Sequence, residues 1–88
     1  MPPEIPMRNK IYEITDYVLT NICREKDFNN IVYLNLFQNR IKKIKGLERL
    51  VNLSTLVLSF NEIETMEDLG NCKVLKRLDL NHNFIRII

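Results

Sequence analysis

The sequence predicts an α/β repeat fold: stacked coils that each contribute one short strand to a parallel sheet, tight turns on the opposite side, and a helix at the N-terminal end. Three observations predict it. An eleven-residue pattern, L-x-x-L-x-L-x-x-N-x-I, occurs three times at a constant interval, starting at Ile31, Leu53 and Leu75. Between the copies, apolar residues recur every third position in a constant phase. Upstream of the first copy, the apolar spacing changes to that of a helix.

The first element is a leader, residues 1–14. All three prolines lie in its first six residues, so an extended, partly disordered segment is expected. It lacks the apolar core of a secretion signal. Residues 15–30 are expected to be an N-terminal cap. Stepping back one period from the first copy puts Leu19, Ile22, Phe28 and Ile31 in phase, but Glu25 falls on an apolar slot, so this stretch is not a full repeat. Val18, Leu19, Ile22 and Cys23 instead form a helical stripe. The spacing predicts a helix near 16–26, with Thr15 or Asp16 capping its start. Its apolar side would cover the open edge of the first coil, which otherwise exposes core.

Residues 31–88 hold the three copies, with Ile31 replacing the first Leu once. In Leu34-Asn35-Leu36 the two leucines share one face of a strand and Asn35 points the other way. The same alternation recurs at Leu56-Val57-Leu58 and Leu78-Asp79-Leu80. Between copies, Ile41, Ile44, Leu47, Leu50 and Leu53 return as Ile63, Met66, Leu69, Cys72 and Leu75, and the series restarts with Ile85 and Ile88. One apolar residue in three suits tight turns or 3₁₀ segments that aim one side chain inward per turn. A single coil cannot cover its own apolar face, so the coils must stack. Asn39, Asn61 and Asn83 stand where the chain leaves each strand. They are expected to be a structural column whose buried amides satisfy turn backbone. After Ile88 no capping pattern follows. The expectation is an uncapped C-terminal end, from a longer solenoid or used as an association surface.

This pattern resembles the leucine-rich-repeat (LRR) superfamily. The 22-residue period with I-x-x-I-x-x-L-x-x-L-x-x-L is similar to one subclass, which includes the LRR regulatory subunit of protein phosphatase 1, the LRR light chain of axonemal outer-arm dynein, and ciliary and centrosomal proteins. The resemblance covers about residues 31–88. It implies a curved right-handed solenoid with short parallel strands on a concave, protein-binding face and 3₁₀ or turn segments on the convex face. The non-core strand positions would line that concave face: Tyr33, Thr55 and Arg77; Asn35, Val57 and Asp79; Phe37, Ser59 and Asn81. Gln38, Phe60 and His82 flank them. Tyr33, Phe37, Val57 and Phe60 are apolar where exposure is expected, and aromatics beside an Arg suit an interface. Two blander readings stand beside this one: Phe37 or Phe60 tucked against the strand-to-loop corner, and Arg77 paired with Asp79.

The repeat register also stacks charges. Arg40 lies over Glu62, Lys42 over Glu64, Lys45 over Glu67, and Glu64 over Arg86. These pairs read as a solvated rim with inter-coil ion pairs of small energetic value. The rival is a phosphate-binding patch made of Lys42, Lys43, Lys45 and Arg49.

No catalytic constellation is present. Gly46 and Gly70 are isolated turn residues, and neither the single His82, read as a bland surface residue, nor the two cysteines has zinc-ligand spacing. Cys72 fills the Leu50 slot, Cys23 belongs to the helical stripe, and a disulfide between them is not expected. Asn52-Leu53-Ser54 matches a glycosylation pattern that an intracellular chain would leave unused. The net charge of +2 is too small to argue for nucleic acid or membrane. No catalysis, metal or cofactor is expected. The expected role is a protein-interaction scaffold in the cytoplasm. The resemblance points it to a cilium, axoneme or centrosome, or to phosphatase regulation. The alternative is an RNA-associated protein of the spliceosomal kind. By itself, the chain is expected to be marginally stable.

Overall fold

The computed structural model describes residues 10–65 and 69–86. Most of the leader, Met66, the acidic pair Glu67 and Asp68, and the final Ile87 and Ile88 lie outside those residues. One helix, α1 (Asp16–Cys23), is followed by a 3₁₀ turn at Phe28–Asn30 and three short strands, β1 (Tyr33–Asn35), β2 (Thr55–Val57) and β3 (Arg77–Asp79).

The strands form one parallel sheet in the order β1-β2-β3. Its register is the repeat itself: Tyr33 pairs with Thr55 and Thr55 with Arg77, Leu34 with Leu56 and Leu56 with Leu78. Pairing continues past the strand ends, where Leu36 N–H donates to Val57 O and Leu58 N–H to Asp79 O, both at 2.8 Å. A further parallel bridge joins Lys43 to Thr65. Successive turns therefore lie one on the next.

Leu34, Leu36, Leu56 and Leu58 point to one side and are fully buried. There they meet Ile41, Ile44, Leu47, Leu50, Leu53 and Ile63. Removing one such side chain from water contributes about 1.5–3 kcal/mol. The every-third spacing has its cause in i→i−3 hydrogen bonds. Leu50 N–H donates to Leu47 O, Leu53 to Leu50, Cys72 to Leu69 and Leu75 to Cys72. Such turns bring every third side chain to one side. In the third turn Leu75, Leu78, Leu80 and Ile85 are partly buried against the same core.

Helix α1 begins as its sequence dictates. Thr15 has extended backbone, and its Oγ1 accepts the N–H of Val18. It ends at Cys23 rather than near residue 26, with Arg24 in the left-handed region at φ 51°. Local side chains compete with the helix here. The Glu25 carboxylate accepts from Asp27 N–H, and the Asp27 carboxylate from Asn29 N–H, which draws the chain into the 3₁₀ turn. Leu19 is buried in the core and Cys23 packs against it. Ile22 departs from the expected stripe and is 41% exposed. With the helix stopped at Cys23, its side chain borders open space beside β1.

Residues 10–14 belong to the leader in the sequence reading, and the structure places them against the first repeat. Ile11 N–H donates to Asn39 Oδ1 at 3.0 Å, as Ile41 N–H does to Asn61 and Ile63 N–H to Asn83. Ile11 O accepts from Arg40 N–H, as Ile41 O does from Glu62 and Ile63 O from Phe84. Ile14 is buried. Ile11-x-x-Ile14 thus takes the place beneath Ile41-x-x-Ile44 that a preceding turn would take. The interval between them is longer than the repeat period, and α1 lies within it. Arg49 ties the two parts together: it pairs with Asp16, and its guanidinium lies over the Phe28 ring at 4.9 Å.

Candidate interaction face

The sheet has one buried side, and its other side carries Tyr33, Asn35, Thr55, Val57, Arg77 and Asp79. In β1 the alternation is complete, with Tyr33 and Asn35 exposed and Leu34 buried. In β2 Thr55 and Val57 are half-buried. Tyr33 is 56% exposed, and its hydroxyl accepts from Asn35 Nδ2 at 3.3 Å, so the ring lies along the strand.

Past the strands, the asparagine column determines the backbone. Asn61 Nδ2 donates to Leu36 O (2.9 Å), Leu58 O (3.0 Å) and Ser59 O (3.3 Å), while its Oδ1 accepts from Ile41 N–H. Asn83 repeats this set with Leu58 O, Leu80 O and Asn81 O, and Asn39 with Leu36 O and Phe37 O. Each amide thus bonds carbonyls of its own turn, and Asn61 and Asn83 bond a carbonyl of the turn before as well. Asn39 and Asn61 are buried, so water cannot replace these bonds.

The residue just before each asparagine is left-handed: Gln38 at φ 59°, Phe60 at φ 58° and His82 at φ 59°. Such backbone is strained for a bulky residue. The asparagine bonds hold it, and they thereby aim the side chain outward at the sheet's rim. Two of these side chains, Phe60 and His82, stack on each other, and Phe37, one residue before Gln38, joins them from the first turn. Phe37 meets Phe60 edge-on at 5.4 Å between centroids, and Phe60 stacks on His82 at 4.2 Å with 15° between planes. Phe37 and Phe60 are exposed, so the corner-tucked reading gives way to ring-on-ring contact at the surface. His82, bland in the sequence reading, is the end of this stack. Its position one residue before the third asparagine, in register with Phe60, is the signal that could have found it.

Ser59 is a correction. Expected in an exposed column with Phe37 and Asn81, it is 6% exposed. Its turn lies between the other two, and its short side chain does not reach past the larger neighbours. Asn81 is exposed. Arg77 and Asp79 do not pair. Asp79 Oδ1 instead accepts from Asn81 N–H at 3.1 Å and Asn81 Nδ2 at 2.8 Å, and among the described residues Arg77 forms no ion pair.

Of the stacked charges, Arg40 and Glu62 pair at 2.7 Å, and Arg40 also lies over the Tyr12 ring at 5.7 Å. The Glu62 carboxylate raises the pKa of the Arg40 guanidinium. Lys42–Glu64 and Glu64–Arg86 are corrections. These residues align through backbone bonds, Glu64 N–H to Lys42 O and Arg86 N–H to Glu64 O, without side-chain pairing among the described residues. The Lys45–Glu67 pairing falls outside them. Lys42, Lys43 and Lys45 line a cavity with Glu13 and Ile14, while Arg49 is turned away to Asp16. The four basic residues of the rival phosphate patch therefore do not converge. Both cysteines are free. Burial raises the pKa of each thiol, and Glu48 adds to the effect at Cys72. Asn52 of the glycosylation pattern donates its side-chain amide to Asn29 O. Among the described residues no group of three metal-ligating side chains occurs, and no helix is long and apolar enough to cross a membrane.

Parallel strands in register with the sequence repeat, an asparagine ladder at their exits and an exposed sheet face define a repeat protein built to present surface. The family described as Leucine Rich repeats (2 copies) matches residues 29–71. A Bos taurus protein described as leucine-rich repeat-containing protein 23 is 46% identical over 54 residues, which is 58% of this chain and 16% of that protein. The chain therefore spans only a small part of the length of this relative. No solved structure matches. Residues 29–71 therefore carry leucine-rich repeats, a family whose domains are in general non-enzymatic protein-interaction modules.

Proposed function

We propose that this chain is a non-catalytic scaffold that holds a partner protein on the exposed face of its sheet. The observation that carries this is the aromatic surface of that face: Tyr33, Phe37 and Phe60 stand in solvent on turns whose opposite side is fully buried. Such side chains are costly to leave wet and are the usual anchors of interfaces. Asn35, Thr55, Val57, Arg77, Asp79 and Asn81 would complete the contact, and Ser59 would act beneath it.

In this reading the stacked turns are part of a right-handed solenoid with the sheet concave, as parallel crossovers favour, and α1 with residues 10–14 caps its first turn. The cilium, axoneme or centrosome as the setting, or phosphatase regulation as the process, rests on the resemblance alone. The RNA-associated alternative has weaker support. The charged groups on the strands are Arg77 and Asp79, one of each sign, which offers little to a phosphate backbone.

Proximity labelling in ciliated cells tests the proposal, comparing the native chain with a Tyr33→Ser, Phe37→Ser, Val57→Ser variant. A defined set of labelled proteins lost in the variant is the expected result. Identical labelling by both, dominated by chaperones, would remove the sheet face from consideration.

A further inference from the structure

The partner's shape and charge can be read from the same face, on the premise that the face binds protein. The observations are the face's two dimensions and the chemistry at its corners. Along the strands, the four residue steps from Tyr33 to Phe37 cover about 13 Å at roughly 3.3 Å per residue. Across the strands, β1 to β3 is two spacings, about 10 Å. The β1 and β2 side is apolar and aromatic, with Tyr33, Val57, Phe37 and Phe60. The β3 side carries Arg77, exposed and without an ion pair among the described residues. The carboxylate nearest along its strand, Asp79, is engaged by Asn81.

We propose that the occupant is an amphipathic α-helix lying across the strands, with an apolar anchor over Tyr33, Val57 and Phe37 and an Asp or Glu two turns away over Arg77. A helix with its side chains is about 10–12 Å wide, which fills the face along the strands. Seven residues of helix rise about 10.5 Å, which matches the distance from the aromatic side to Arg77. Residues i and i+7 also share one helix face. An extended peptide on the same path presents same-side residues at about 6.7 and 13 Å, one short of Arg77 and one past it. Phe60 and His82, stacked at the rim, bound the helix on one flank.

The test is a display library of 20-residue peptides, half on a helical scaffold and half unstructured, selected on the full 88-residue chain. Binding is then measured by fluorescence anisotropy against Arg77→Glu, Arg77→Lys and the Tyr33→Ser, Phe37→Ser, Val57→Ser variant, each checked for native circular dichroism. The expected winners are helical, with an apolar residue at i and an acid at i+7. Arg77→Glu weakens them at least 10-fold, Arg77→Lys by less, and changing the peptide's acid to Lys restores binding to Arg77→Glu. Winners that are extended, or indifferent to Arg77→Glu while sensitive to the triple variant, overturn the helix and leave the protein-binding face standing. Failure to select any peptide sensitive to the triple variant overturns both.

Discussion

Asn61→Ala should destabilise the chain by about 2.5–6 kcal/mol. The side chain makes four hydrogen bonds, and their loss is unequal. Leu36 O keeps a bond from Asn39, Leu58 O one from Asn83, and Ser59 O one from Gln38 N–H. Those three acceptors are weakened but not stranded. Ile41 N–H has Asn61 Oδ1 as its partner and is left buried and bare, which costs about 1–3 kcal/mol. The three lost donations add roughly 0.5–1 kcal/mol each, at the low end of net hydrogen-bond values because each acceptor retains another bond. A chain of this size has only about 5–10 kcal/mol in total. Urea unfolding followed by circular dichroism reads the loss, and hydrogen exchange at the Ile41 amide locates it. Asn39→Ala should cost less, because the donor it strands, on Ile11, is half-buried and within reach of water. A loss below about 1 kcal/mol for Asn61→Ala, or an equal loss for Asn39→Ala, would refute the reasoning.

Two further outcomes follow from single positions. Gly46 sits at φ 87°, and a Cβ there would lie 2.0 Å from Ile14 O. Gly46→Ala should therefore push residues 10–14 off the first turn and cost about 2–4 kcal/mol, in the range of strain plus lost packing. The Ile11 and Ile14 resonances should move most, and an unchanged melt would show that this segment contributes nothing. The Cys72 thiol, raised by burial and by Glu48, should react with iodoacetamide at pH 8 at least about 10-fold more slowly in the native chain than in urea, because less of it is thiolate and less is reachable. The unfolded thiol loses its proton first, at its ordinary value of 9.0. Its contribution to stability is therefore complete below that pH and lost as pH rises through the higher folded value. Equal alkylation rates would contradict the burial.

The repeat was legible because it is written in residue identity. Leu34, Leu56 and Leu78 share a column because a strand alternates and the period is constant. The asparagines could be expected to serve backbone because a buried amide at a strand exit has little else to bond. The opening turn was harder to see. Ile11-x-x-Ile14 copies Ile41-x-x-Ile44, but the inserted helix sets it out of phase with the constant period that relates the other turns. The helix ends at Cys23, short of what hydrophobic spacing predicts, because the Glu25 and Asp27 side chains bond nearby backbone, which that spacing does not encode.

Sequence by itself determined which repeat residues face the core, how the strands pair, and which strand side chains point away from the core. Those follow from short-range periodicity and from the need of each turn to be covered by the next. Tertiary structure alone decided how the outer side chains meet. Register put Lys42 over Glu64 and left them unpaired, while Arg40 and Glu62 did pair. Ser59 sank between its neighbours, Asp79 turned to Asn81 instead of Arg77, and His82 stacked on Phe60. The physical reason is that alignment brings two residues to within a strand spacing, while contact depends on side-chain length, backbone φ and the competing partners within reach, none of which a periodic pattern encodes.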